Sequence, residues 1–226
     1  MRTGLFAGLV VLAFAGSAAA SSGPQYSAHV TNPWFPLLPG SGYVYRGYKD
    51  GKPARDFMVV THRRRVIRGA RCVVVSDRLY LRGRLAERTT DWYTQDRAGN
   101  VWYFGERTAE LAPNGHVLNT TGTWTAGVHG ARPGIYMPAH PHRGKSGQQE
   151  YYRGQAEDHY AVVGLGERAS VPFVSSRHAL LTKEWTPLEP GTLDHKFYVR
   201  GIGVVLEQTV KGGSERGALV SFHRGS

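Results

Sequence analysis

The chain has 226 residues, 28 Lys and Arg against 17 Asp and Glu, a net charge of +11 and one cysteine. A lone cysteine excludes an intramolecular disulfide and any cysteine-based zinc or iron–sulfur site. A chain this long can bury a core without such staples.

Residues 1–20 read MRTGLFAGLVVLAFAGSAAA. One arginine, an apolar run from Leu5 to Gly16 and the small-residue end Ala18-Ala19-Ala20 have the form of a secretory signal peptide, cut near Ala20. The run is too short to span a bilayer, and no later segment is apolar enough to do so, which speaks against an integral membrane protein. The expectation is export to the periplasm or the medium, with residues 21–226 forming a single, monomeric β domain.

Arg outnumbers Lys by 22 to 6, and nine Arg fall between Arg63 and Arg88. Export makes nucleic acid a poor partner for this charge. A lipid, a glycan or another anionic envelope component suits it better. The simpler reading is that these side chains face solvent on strand exteriors and protect sheet edges.

From Asp50 onward, turn signals recur at Asp50-Gly51, Arg68-Gly69, Arg82-Gly83, Ala98-Gly99-Asn100 and Pro113-Asn114-Gly115, with glycines 18, 14, 16 and 16 residues apart. Between them run β-branched and aromatic stretches: Phe57 to Thr61, Cys72 to Val75, Trp92-Tyr93 and Val101 to Phe104. Helical spacing is absent. This pattern predicts an all-β protein, a curved antiparallel meander sheet forming a half-barrel or barrel-like body. Within it Cys72 reads as a small buried hydrophobe.

The ribbon Asp91 to Glu106, DWYTQDRAGNVWYFGE, fits a hairpin around a type I turn with a glycine bulge. Pairing Asp96 with Asn100 sets Tyr93 opposite Tyr103 on one face. Trp92 then faces Phe104, and Thr94 faces Trp102, on the other. Indole and phenyl rings carry few polar demands, whereas Tyr keeps a hydroxyl that needs a partner. Trp92, Trp102 and Phe104 are therefore expected in the core, and Tyr93 and Tyr103 in a cavity shared with Glu150, Glu184 and Trp185. Asp91 falls on the Tyr face and Glu106 on the Trp face.

Ala126 to His142 holds Gly127, Gly130, Pro133, Gly134, Pro138 and Pro141, and reads as a long loop. Strands are expected to resume near Gln149–Tyr152, His159–Leu165, Ala179–Glu184, Leu193–Tyr198, Val204–Val210 and Ala218–Phe222. Arg143-Gly144-Lys145-Ser146 lacks the upstream glycine of a phosphate loop and carries Pro141 before it. No Gly-x-Ser-x-Gly or His-Glu-x-x-His occurs. His140, His142, Asp194 and His195 could ligate a metal, but with ten His such pairs arise by chance, so neither metal nor cofactor is expected.

A second acidic and aromatic group is formed by Glu150-Tyr151, Glu157-Asp158 and Glu184-Trp185. These carboxylates either neutralise the arginine surplus or form a polar patch at a cavity mouth. The candidate ligand-binding residues are thus Asp91, Tyr93, Tyr103, Glu150, Tyr151, Glu157, Asp158, Glu184 and Trp185. No catalytic residue is assigned.

The run Asn32-Pro33-Trp34-Phe35-Pro36-Leu37-Leu38-Pro39-Gly40, followed by Tyr43-Val44-Tyr45, resembles the opening of a family of uncharacterised secreted bacterial β proteins. Asp91 to Glu106, Gln149 to Asp158, and Lys183 to Gly191 with Phe197 to Val205 resemble its later blocks. Ser146-Gly147-Gln148 departs from the more strand-like approach usual before the third block. Val171-Pro172-Phe173 ahead of an apolar strand, then an aromatic strand and Gly201-Ile202-Gly203-Val204, is similar to curved half-barrel envelope proteins, lipoprotein carriers among them. The resemblance implies a concave aromatic face that binds an apolar or amphipathic ligand, making a binding module the leading expectation. A hydrolase of envelope glycans using paired carboxylates is the alternative, and a structural envelope component the third. A deep apolar cavity would favour the first, and two facing carboxylates in a cleft the second.

Overall fold

The computed structural model describes residues 26–226. The signal-peptide reading falls on residues 1–20, outside the described residues. Among the described residues there is no helix. The strands are, in chain order, β1 Gly42–Lys49, β2 Lys52–Ile67, β3 Ala70–Leu81, β4 Arg84–Gln95, β5 Val101–Leu111, β6 Val117–Asn119, β7 Trp124–Thr125, β8 Arg132–Met137, β9 Ser146–Gln148, β10 Glu150–Tyr151, β11 His159–Ser170, β12 Ser175–Trp185, β13 Leu193–Val199, β14 Gly203–Lys211 and β15 Glu215–His223. All belong to one antiparallel sheet in the order β10-β8-β5-β4-β3-β2-β1-β15-β14-β13-β12-β11-β9, with β6 and β7 paired to β5.

Local chemistry explains the first half of this order. At Asp50-Gly51, Arg68-Gly69 and Arg82-Gly83 both turn residues have positive φ. That is what a two-residue turn matched to the strand twist requires. The β1 to β5 meander follows directly. Cys72 lies wholly buried in β3, and burial pushes its thiol up to about 12, as a packing residue should behave.

The sheet curls into a nearly closed barrel, and one short segment bridges its ends. β9 pairs with β11, β10 pairs with β8, and only Gln149 separates them. The Gln149 N–H donates to the Asp158 carbonyl at 2.7 Å. This region corrects the loop expected over Ala126 to His142, because β8 runs through its middle. Pro133 sits near the start of β8, where a missing donor is tolerated. Gly134 allows the close approach: a Cβ there would stand 2.2 Å from the Gln148 carbonyl oxygen.

Strand alternation sorts the side chains. Tyr93 and Tyr103 point into the barrel, while Trp92 and Phe104 are buried on its outer face. Tyr26 covers the outer face with its ring edge-on to Phe104 at 5.1 Å, and the Arg65 guanidinium lies 3.8 Å over Trp92. Trp102 is only half-buried, its indole N–H donating to Asp96 Oδ2 at 2.8 Å, so it is less a core residue than the sequence suggests.

The segment between Val30 and Gly40 plugs the interior. Trp34, Phe35 and Leu37 are buried, and the Phe35 ring lies 4.6 Å from Tyr136 and 5.4 Å from Tyr93. Asn32 fixes the plug. Its Oδ1 accepts from the Trp34 N–H at 2.9 Å, and its Nδ2 donates to the carbonyls of Gly99 at 2.9 Å and Pro138 at 3.1 Å. The Asn32 N–H donates to Gln95 Oε1 at 2.8 Å.

Gly134→Ala is expected to force the seam apart and to destabilise by about 1–3 kcal/mol, the usual cost of overpacking. Urea unfolding would measure the loss, and hydrogen exchange at the Gln149 amide would locate it.

Candidate functional site

The site begins with the register of β4 and β5. Tyr93 pairs with Tyr103, Thr94 with Trp102 and Gln95 with Val101, but the register shifts between Asp91 and Tyr93, so Asp91 pairs with Glu106. The shift is a bulge at Gly105, whose φ is 136° and whose Cβ, were there one, would lie 2.4 Å from the Trp124 carbonyl oxygen. A bulge advances one strand by a residue and exchanges its faces. Glu106 therefore joins Asp91 inside the barrel, not the Trp face where unbroken alternation would put it.

The result is a compact polar constellation. The Tyr93 and Tyr103 rings stack at 4.6 Å and 13°. Tyr136 meets them edge-on at 5.2 Å and 6.0 Å. The Tyr103 hydroxyl lies 2.6 Å from Asp91 Oδ1 and 3.2 Å from Glu106 Oε2. A phenol has one proton to give. It goes chiefly to the nearer oxygen, that of Asp91, and Glu106 shares the same hydroxyl at the longer distance, so two carboxyls compete for one phenolic proton. Both acids are raised by their surroundings. Burial pushes Asp91 up to about 7, against the opposing pull of the Tyr103 hydrogen bond. Burial, with the Asp91 and Glu150 charges, pushes Glu106 up to about 9.

Further acids surround this pair. Glu150 accepts from the Trp124 indole N–H at 2.6 Å, and burial, aided by the Asp158 charge, raises it to about 8. Burial and the neighbouring Asp56 hold Asp77 well above the usual carboxylate range. Burial also raises Asp158, with Lys196 pulling the other way. Lys196 is the interior's counter-charge, its ammonium 2.9 Å from Glu184 and 3.3 Å from Glu207. Glu184 also accepts from Thr182 at 2.9 Å and Tyr198 at 3.1 Å, so it is fully engaged.

A cavity of about 300 Å³ opens beside Asp77, Asp91 and Glu106. Phe35, Met58, Val75, Tyr93 and Tyr136 give it apolar and aromatic walls; Asp56, Asp77, Glu87, Asp91 and Glu106 give it carboxyl groups. Lys49, which pairs with Glu215 at 3.6 Å, lies on its lining with Arg46 and Arg216. The concavity is thus mixed, not the deep apolar one that sequence favours for a simple lipid carrier. Asp56 Oδ1 is buried with no hydrogen-bond partner among the described residues.

Of the residues singled out by sequence, Asp91 and Tyr93 line the cavity, whereas Tyr103, Glu150, Asp158 and Glu184 lie in the polar network beside it and not on its lining. Tyr151 lies under the Arg132 guanidinium at 4.3 Å, and Glu157 accepts the Gly154 N–H at 2.7 Å in a turn. Trp185 is exposed and stacks on His159 at 5.5 Å, because strand alternation turns it away from its buried neighbour Glu184. Sequence reasoning missed Asp56, Asp77, Glu87, Glu106 and Lys196. Gly105 inside a strand pattern was a usable signal for Glu106, since such a glycine marks a bulge. The others sit at alternate strand positions with no local mark to tell inward from outward.

Because folding raises these carboxyls above their unfolded values near 4, the native state binds more protons than the unfolded chain between about pH 4 and pH 9. Their contribution to stability is complete below the unfolded values and is lost as pH rises through about 7, 8 and 9 for Asp91, Glu150 and Glu106. The urea midpoint is expected to be higher at pH 6 than at pH 9, with Glu106→Gln reducing the difference. A midpoint constant over that range would contradict the assignment.

No family model and no curated protein matches the chain, so the four-block resemblance has no matching family model behind it. A solved structure from Parabacteroides distasonis, described as a "putative lipoprotein", is similar over 85% of this chain and 99% of its own, at 11% identity and a TM-score of 0.44. A likeness of that degree carries no argument about the site.

Proposed function

We propose that this is an exported binding protein whose barrel interior takes a small amphipathic ligand with a cationic polar end. The observation that carries the reading is the imbalance of charge in the cavity. Asp56, Asp77, Glu87, Asp91 and Glu106 line it, and no Lys, Arg or His nitrogen among the described residues forms an ion pair with any of them. Buried carboxylates without counter-ions are costly. A ligand cation would supply what the fold withholds, and the tyrosine faces beside them also favour a cation. The aromatic and aliphatic walls suit the ligand's apolar part, and the cavity lies at the small end of the range for ligand pockets. The signal-peptide form of residues 1–20 supports export.

A glycan hydrolase would use Asp91 and Glu106 as its paired carboxyls, and their opposition across β4 and β5 is the feature that favours it. The Tyr103 hydroxyl, in contact with both, occupies the space where a scissile bond would lie. Binding is therefore the better reading.

Outside, Arg63, Arg64, Arg68, Arg82, Arg84 and Arg88 are exposed around β2, β3 and β4. This wall suits an anionic envelope surface. Association with phosphatidylglycerol vesicles is expected to weaken sharply as salt rises from low to physiological levels. Salt-independent association, or none, would leave these arginines as solvated exterior.

The interior site is tested with benzyltrimethylammonium, compared with neutral benzyl alcohol by calorimetry. The cation is expected to bind more tightly, and Asp56→Asn or Asp77→Asn to weaken it about tenfold or more, as loss of a charged contact worth about 1.5–3 kcal/mol would do. Equal affinity for the two probes, or variants that bind as the parent does, would refute the reading. Native mass spectrometry of protein recovered from its own medium or periplasm would identify the natural ligand.

A further inference from the structure

We propose that Asp91, Tyr103 and Glu106 form a proton-exchange element, so that uptake of a cation by the interior site is coupled to release of a proton. This rests on the cation-binding reading above and adds a regulation to it.

The argument is one of counting. Two carboxyl oxygens, of Asp91 and Glu106, lie 2.6 Å and 3.2 Å from one hydroxyl. With both acids ionised, one of those contacts would set two oxygens together with no proton between them. One further proton would close the longer contact as well. Such a proton would have its place between the Glu106 carboxyl and the hydroxyl oxygen, 3.2 Å apart.

The surroundings supply no alternative. On β4 itself stand Glu87 and Tyr93. Asp77 on β3, Asp56 on β2 and Glu150 on β10 add further carboxyl groups, and Tyr136 on β8 lies near Asp91. Lys49 on β1, paired with Glu215, stands on the same cavity lining with Arg46 and Arg216, and two further cations lie close by. Arg78 on β3 lies near Asp91, but its Nη1 donates to the backbone carbonyls of Asp77 and Thr89. Lys196 on β13 is held between Glu184 and Glu207. Arg78 pulls Asp91 down without pairing with it, and none of these cations forms an ion pair with Asp91 or Glu106, so a proton and a ligand cation are competitors for the negative charge that remains.

The exchange balances. One cation enters, one carboxyl O–H bond breaks, its electron pair stays on the oxygen, and the proton leaves to solvent. The net charge of the site is unchanged. The raised values of Asp91 and Glu106, about 7 and about 9, place the exchange in the neutral to mildly alkaline range.

Benzyltrimethylammonium is the suitable probe because its own charge does not vary with pH. Its affinity for the wild-type protein is expected to rise between pH 6 and pH 9, approaching about tenfold per pH unit where one proton leaves per cation bound. Calorimetry in two buffers of different ionisation enthalpy would count the same proton directly. Glu106→Gln keeps a donor to the Tyr103 hydroxyl but carries no dissociable proton, so its affinity should be nearly level above pH 7. Infrared titration of the ligand-free protein gives a second readout: a protonated carboxyl band at pH 7.5 that fades above pH 9 and is weakened in Glu106→Gln. Cation binding with no pH slope, or a slope that survives in Glu106→Gln, would overturn the coupling alone. Absence of the carboxyl band would overturn the shared proton. No cation binding at any pH would overturn the interior site and the coupling together.

Discussion

Asn32 spends every hydrogen bond its side-chain amide can usefully make on holding one end of the barrel shut. It joins the plug at Trp34, the β4–β5 turn at Gly99 and the end of β8 at Pro138. That anchorage sets Phe35 against Tyr93 and Tyr136. With Phe35 in place the interior loses water from that side, and the carboxyls within feel a medium in which charge is expensive. The β4–β5 register sets the tyrosine stack and the acids, and the plug adds Phe35 to the wall of the cavity beside them. An open-ended barrel with the same strands would have a wetter and electrically quieter interior.

The chain separates its charge across the thickness of one sheet. Its surplus of 28 Lys and Arg over 17 Asp and Glu is displayed outward, around β2 to β4, while carboxyls concentrate inside. Strands make such separation easy, because neighbouring residues point to opposite faces. Thus Arg88 is outward and Thr89 inward, Lys183 outward and Glu184 inward. The net charge describes the exterior and gives no warning of the acid interior. Composition alone would suggest an anionic ligand throughout, whereas the cavity is lined by five carboxyl groups of β2, β3, β4 and β5.

The all-β architecture was readable because Gly51, Gly69, Gly83 and Gly99 mark their turns in the sequence. The facing of Tyr93 and Tyr103 was readable for the same reason, since the Asp96–Asn100 turn fixes the register near it. Reading failed where geometry depended on distant partners. Glu106 crossed to the other face through a bulge that the Trp124 backbone helps to impose. β8 was hidden by Pro133 and Gly134, residues that argue against a strand unless a close neighbour such as β9 is known to be waiting. Trp185 and Glu184 were grouped because they are adjacent in sequence, yet adjacency in a strand means opposite faces. Lys196, the interior counter-ion, stands in Asp194-His195-Lys196 with nothing local to mark it as buried. Turn chemistry is local and legible; closure of a barrel is not.

β1 pairs along its whole length with β15, Gly42 opposite His223 and Lys49 opposite Glu215. The first and last strands of the barrel are therefore neighbours, and this has a kinetic meaning. Until residue 223 is available, β1 has one unsatisfied edge and the interior cannot be sealed. The β1 to β5 meander can assemble early from local hairpins, but joining it to the β11 to β15 half requires closing a loop nearly as long as the chain. Contacts so remote in sequence slow folding. The acids of the interior would then remain in water, ionised, until that last closure, and would take up their protons only as the final strand docks. Barrel completion should accordingly be a late, proton-consuming step, slower in alkaline buffer than in neutral.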